Sequence, residues 1–140
     1  MIEIISGEKG KGKTKELLNK VNTSITSATG NIVYLDKSQK HMYELNNKIR
    51  LINVNDFLID NCDEFLGFIC GVISQDHDLE EMCLDSFLTI ASIDSDELLN
   101  HAIQKLDVIS EKYNVKFILS VSKDESKLTD IAKAKIVISL

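Results

Sequence analysis

Residues 2–18 read IEIISGEKGKGKTKELL, and this stretch sets the plan for the rest of the chain. Its opening, IEIIS (2–6), is a short isoleucine-rich run bounded by glycine, which is the pattern of a strand. From residue 12 the spacing changes. Leu17, Leu18, Val21 and Ile25 fall on one face of a helix expected over 12–28, with Gly30 as its stop. Between the two lies GEKGKGKT (7–14), which holds three of the protein's six glycines, with Lys9, Lys11 and Lys13 inside it and Lys15 just beyond. Strand, glycine loop and helix in that order make the first half of a crossover that returns the next strand parallel to the first.

The remaining sequence repeats the alternation. Apolar runs at 31–36 (NIVYLD), 49–54 (IRLINV), 80–87 (EEMCLDSF, a buried strand ending at Asp85), 115–121 (VKFILSV) and 135–140 (KIVISL) read as strands. Residues 62–74 read as an apolar helix weakened by Gly67 and Gly71, and 39–47 as a short helix. Asp94 and Glu97 have capping-box spacing before the clearest helix, 95–113, whose inner face is Leu98, Leu99, Ala102, Ile103, Leu106 and Ile109. Ser122 and Glu125 repeat that spacing before a short helix to about residue 133. The strands are nearly continuous apolar runs, as expected when both faces of a sheet are covered. The expected fold is α/β: a single-domain, three-layer α/β/α sandwich over residues 1–140 with a mostly parallel sheet.

Bulk properties narrow the function. A chain of 140 residues suffices for one domain with its own core. The net charge of −6 argues against nucleic acid as a partner, because such proteins present a broad basic face. The lysine cluster therefore reads as serving a small anion. Cys62, Cys70 and Cys83 lack redox or zinc spacing and read as reduced thiols in or near the core. The start MIEII lacks the basic residues and apolar run of a signal peptide, and no apolar run approaches the ~20 residues of a membrane helix, so the expected compartment is the cytoplasm. The three histidines (41, 77 and 101) are dispersed, and the acidic run around Asp76, His77, Asp78, Glu80 and Glu81 reads as a solvated loop.

The 7–14 stretch matches G-x-x-x-x-G-K-[ST] at Gly7, Gly12, Lys13 and Thr14. Each residue type has a physical reason. The glycines let successive backbone N–H groups converge on phosphate oxygens. The helix that follows aims its unsatisfied N–H groups and positive dipole end at the same anion. Lys13 reaches the β- and γ-phosphates, and the Thr14 hydroxyl holds Mg²⁺. The candidate nucleotide-binding segment is thus Gly7, Glu8, Lys9, Gly10, Lys11, Gly12, Lys13, Thr14 and Lys15.

Through IEIISGEKGKGKTKELL the chain resembles the P-loop NTPase superfamily. That resemblance implies a Walker B strand ending in an aspartate that orders Mg²⁺ through its coordinated water, and MCLD places Asp85 there, with Asp36 at the end of NIVYLD as the other acid. The strands inserted between the loop and Asp85 point to the RecA-like branch, in which the P-loop and Walker B strands are not adjacent. That branch often carries a catalytic glutamate after the Walker B acid or at the end of the second strand. Ser86 and Asp36 stand at those places here, so Asp36 takes the water-orienting role and hydrolysis is expected to be slow. Ser120 or Ser122 fits a polar sensor, and the single arginine, Arg50, is expected far from the phosphates. The resemblance implies binding of a nucleoside triphosphate, ATP rather than GTP for want of a guanine motif, with Mg²⁺. Lys13, Asp36 and Asp85 are then the catalytic candidates, with Thr14 and Asp85 at the metal. The implied role is a nucleotide-dependent binding or regulatory module whose turnover depends on a protein partner or self-association. The alternatives are a small nucleoside or nucleotide kinase, since thymidine kinases begin with a similar strand, loop and helix, and a degenerate RecA-like structural domain.

Overall fold

The computed structural model describes residues 1–140. Six strands form one sheet in the order β3-β2-β4-β5-β1-β6: β1 (Ile2–Ser6), β2 (Asn31–Asp36), β3 (Arg50–Asn53), β4 (Leu79–Leu84), β5 (Lys116–Val121) and β6 (Ile136–Ser139). Every neighbouring pair is parallel. The expected sandwich is present, and its sheet is wholly parallel. β5 lies between β1 and β4, so the strand before the glycine loop and the strand before Asp85 are not neighbours.

Helices cover both faces unequally. Along each strand, successive side chains point to opposite faces. Ile4, Val33, Leu35, Met82, Leu84, Phe117 and Leu119 face a core cluster of 27 buried residues with α2 (Cys62–Ser74) and α4 (Asp96–Tyr113). Ile5, Ile32, Tyr34, Cys83 and Ile118 face a cluster of 9, closed by Leu17, Leu18 and Val21 of α1 (Lys13–Ser24). The α1 side is the thinner layer, and the same alternation decides where the site lies. Asp36, Asp85 and Ser120 share the parity of Tyr34, Cys83 and Ile118. All three therefore emerge on the α1 face at the carboxyl ends of their strands, where parallel α/β sheets bind ligands.

The elements depart from their expected bounds for local reasons. α1 ends at Ser24 rather than near 28, in turns closed by Thr26 Oγ1 donating to the Thr23 carbonyl (2.6 Å). Gly30 is not its stop. It is required by close approach: a Cβ there would sit 2.0 Å from the Asp78 carbonyl oxygen. The expected helix at 39–47 is a single 3-10 turn, Met42–Glu44, inside the long β2–β3 connection. Ser95, not Asp94, caps α4, its Oγ accepting from the Leu98 N–H (3.1 Å). Ser122 caps nothing. Asp124 starts a 3-10 turn at Glu125–Lys127, and Thr129 caps α5 (Asp130–Lys133). The strand expected to end at Asp85 ends at Leu84, and Ser86, at φ 55°, makes the turn into a further short helix, α3 (Phe87–Ile90). Cys62 and Cys83 are buried and Cys70 is partly so, all three free. No helix is long and apolar enough to cross a membrane.

Candidate functional site

The residues of the glycine loop fold into a turn that only glycine accommodates at two points. Gly10 (φ 87°) and Gly12 (φ 96°) both sit in the left-handed region, and Gly12 is the residue immediately before α1. No side chain caps the α1 N-terminus, so its first N–H groups open toward the loop. Gly7 closes the loop from behind, its N–H donating to the Lys123 carbonyl (3.0 Å). Lys13 folds back over the turn and donates from Nζ to the Glu8 carbonyl oxygen (3.0 Å). It is only 7 % exposed, and burial lowers its pKa while the nearby Asp85 pulls it back up.

Asp85 is the hub of the site. Its Oδ2 accepts from the Thr14 hydroxyl (3.0 Å) and from the Tyr34 hydroxyl (2.7 Å), and its Oδ1 from the Ser120 hydroxyl (2.6 Å) and the Ser86 N–H (2.9 Å). Ser120 Oγ in turn accepts from the same Ser86 N–H (2.7 Å). Four elements thereby fix one carboxylate: α1, β2, β5 and the start of α3. Hydrogen bonds to a carboxylate are the strong ones, and together these fix the position of Asp85 in a buried place. Tyr34 is fully buried, and its pKa is pushed far above the ordinary phenol value by burial first and by Asp85 second, so it acts as a donor.

Asp36 is the second buried acid, accepting one hydrogen bond at Oδ1 from the Lys37 N–H (2.7 Å). Burial, and then the negative charge of Asp85, raise its pKa to about 6. Asp36 therefore changes charge about two pH units above an ordinary aspartate.

These groups line a cavity of about 620 Å³ that has no hydrophobic residue among its 15 lining residues. Of the loop, Lys9, Gly10, Gly12, Lys13 and Thr14 reach it; the floor is Asp36, Asp85, Ser86, Ser120 and Ser122. Across from the loop, the β2–β3 connection supplies Lys37, Ser38, Lys40 and His41. Gly7, Glu8 and Lys11 belong to the turn without lining the cavity, and Lys15 lines an adjoining recess. Arg50 opens β3 at the amino end of the sheet and lines a separate groove beside Phe57 and Phe68. Asp76, in the acidic run, is used structurally, accepting from Asn31 Nδ2 (3.1 Å) and from the Asp78 N–H (3.0 Å).

Tyr34, Lys37, Lys40 and Thr89 were not singled out by the sequence. The only signal for Tyr34 was its place two residues before Asp36 in a strand otherwise aliphatic. The donor set fits magnesium: Thr14 and Asp85 offer adjacent hard oxygens, and this cation takes one or two protein oxygens and fills its shell with phosphates and water. No group of three His, Cys, Asp or Glu side chains is placed to hold a metal by itself. No protein-family model matches the chain, and no curated protein matches it either.

Proposed function

We propose that this protein binds a nucleoside triphosphate, ATP, together with Mg²⁺, and turns it over slowly unless a protein partner or a second copy assists. The observation that carries the reading is the meeting of an uncapped helix N-terminus, two left-handed glycines, Lys13 and the Thr14–Asp85 pair in one polar cavity. Backbone N–H groups and Lys13 would neutralise the phosphates, and Thr14 and Asp85 would hold the metal between them. The bound cation would offset charge that develops on the β- and γ-phosphate oxygens. The separation of β1 from β4 by β5 supports placing the chain with the RecA-like P-loop proteins.

Slow turnover has a structural reason. An arginine near the phosphates is worth about 10³–10⁵ in rate where a P-loop enzyme has one. Here Arg50 lies at the other end of the sheet. No hydrophobic residue lines the cavity to pack against the base of the nucleotide. A regulatory or binding module fits this better than an enzyme of high turnover.

The experiment is thermal unfolding with and without MgATP. A ligand that binds only the folded state adds about 2.7 kcal/mol at a hundredfold excess over Kd, a rise of roughly 5 °C or more for a domain of this size. Lys13→Ala should remove most of that rise. An unchanged rise in the variant, or none in the parent protein, would overturn the assignment.

A further inference from the structure

β3 ends the sheet. It pairs with β2 alone, so its outer edge carries backbone N–H and C=O groups that no other strand satisfies. Such an edge is a template for another chain unless it is blunted. Two of the usual devices are absent: the chain has no proline, and the β2–β3 register runs unbroken from Arg50 to Asn53. The opposite edge, β6, differs, because its register with β1 shifts between Ile4 and Ile5.

Apolar surface collects beside β3. Leu58 is 96 % exposed and Phe57 49 %, a few residues beyond the strand. Phe57 packs against Phe68 of α2, with 5.2 Å between ring centroids, and both line a groove of about 490 Å³ together with Val33, Ile52 and Val72. Gly71 leaves that groove open, with nothing within 4 Å of where its Cβ would stand. Large apolar side chains left in water beside an unpaired strand mark an interaction surface.

The charges along β3 select what covers it. Lys48 and Arg50 are exposed at its start, and Asp56 and Asp60 are exposed after its end. None of the four is in an ion pair. Lys37 and Lys40, beyond the end of β2, line the nucleotide cavity instead. The edge is therefore basic at one end and acidic at the other. A second copy turned end for end presents the opposite order, so unlike charges meet at both ends, whereas a parallel copy would set like against like. Pairing about a two-fold axis also closes the assembly at two chains. Joining β3 to the β6 of a second copy would leave an open edge on each.

We propose that β3 docks a second copy of this chain, the two edge strands pairing antiparallel across a two-fold axis, with Lys48 and Arg50 of each copy against Asp56 and Asp60 of the other. The two sheets then run on as one, and Phe57 and Leu58 of both copies leave water. The inference stands apart from the nucleotide-binding reading, because the groove shares no residue with the nucleotide cavity.

Sedimentation equilibrium from about 1 µM to about 1 mM protein tests it. The mass of the parent protein should move from one chain toward two. Leu58→Ser should weaken association by at least about tenfold. Charge is tested by exchange. The double variants Lys48→Glu/Arg50→Glu and Asp56→Lys/Asp60→Lys should each stay monomeric alone, since like charges then face each other at both ends. Mixed one to one, they should associate as the parent does, because every junction again joins unlike charges. All these positions are exposed, so melting temperatures of the dilute variants should stay within about 3 °C of the parent's. A parent protein that is monomeric throughout the range overturns the proposal. Association that survives in either charge variant, or that the mixture does not restore, overturns it as well, because the contact then uses another surface.

Discussion

The Thr14 hydroxyl lies 3.0 Å from Oδ2 of Asp85, across 71 residues of chain. One is the first-turn hydroxyl of α1 and the other follows β4, and a whole strand, β5, separates the sheet positions from which they come. Their contact makes the magnesium reading specific: the two oxygens should act on the metal as a pair. Asp85→Asn should weaken binding of MgATP well beyond its effect on ATP measured in EDTA, because only the former uses the carboxylate charge. Calorimetric titration in the two buffers checks this. Equal losses in both would move the metal-binding role to Asp36.

Tyr34 donates to the same carboxylate from inside the sheet. Tyr34→Phe keeps the ring packed and removes only that donor. A hydrogen bond to a charged group contributes about 1.5–3 kcal/mol, so the variant should melt several degrees lower. Its dependence on Mg²⁺ should weaken too, because Asp85 is less firmly oriented. A variant as stable as the parent would show that the hydroxyl is equally well satisfied elsewhere.

Asp36 should leave a signature in the pH dependence of stability. Its folded pKa of about 6 stands above the ordinary value of 3.8. Between those values the folded state holds more protons than the unfolded one, so this group lowers stability as pH rises through the window, and the cost is complete above about pH 6. Asp36→Asn carries no charge at any pH. In metal-free buffer it should match the parent near pH 4 and exceed it by about 1–2 kcal/mol at pH 8, a figure reduced for water entering the polar cavity. Urea unfolding across that range is the measurement, and a pH-independent difference would contradict it.

Two glycines should respond in opposite directions to alanine. At Gly30 a Cβ would meet the Asp78 carbonyl oxygen at 2.0 Å and Glu80 Cγ at 2.8 Å, so the β2 and β4 ends must part. Gly30→Ala should cost more than about 2 kcal/mol. Gly67 is an exposed interior position of α2 with open space around its Cβ direction. Gly67→Ala should add about 0.5–1 kcal/mol. Denaturant midpoints of the two variants decide both.

The strand–loop–helix order, the buried apolar runs and the lysine–glycine loop were all legible in the sequence. Periodicity is a local property: Leu17, Leu18 and Val21 mark a helix face, and NIVYLD a buried strand, whatever surrounds them. The glycines of the loop are likewise legible, since left-handed backbone at Gly10 and Gly12 is a demand of the chain itself. The nearby alternatives were not. Asp94 and Ser95 both suit a helix cap, and only the direction in which the chain enters α4 selects Ser95. Gly30 looked like a helix stop because the strand end it presses against comes from residues some fifty positions away.

Tertiary structure alone decided what surrounds each acid. Strand order sets β2 and β5 on either side of β4, and side-chain alternation turns Tyr34 and Ser120 to the α1 face, so both hydroxyls reach Asp85 and none reaches Asp36. It also brought Lys37 and Lys40 into the cavity that Lys13 lines. The sequence determined which groups are present and which backbone each prefers, because those depend on neighbours a few residues away. Hydrogen bonds across 35 to 71 residues depend on which strands lie side by side, and hydrophobic burial on both faces of a parallel sheet is satisfied by many such orders.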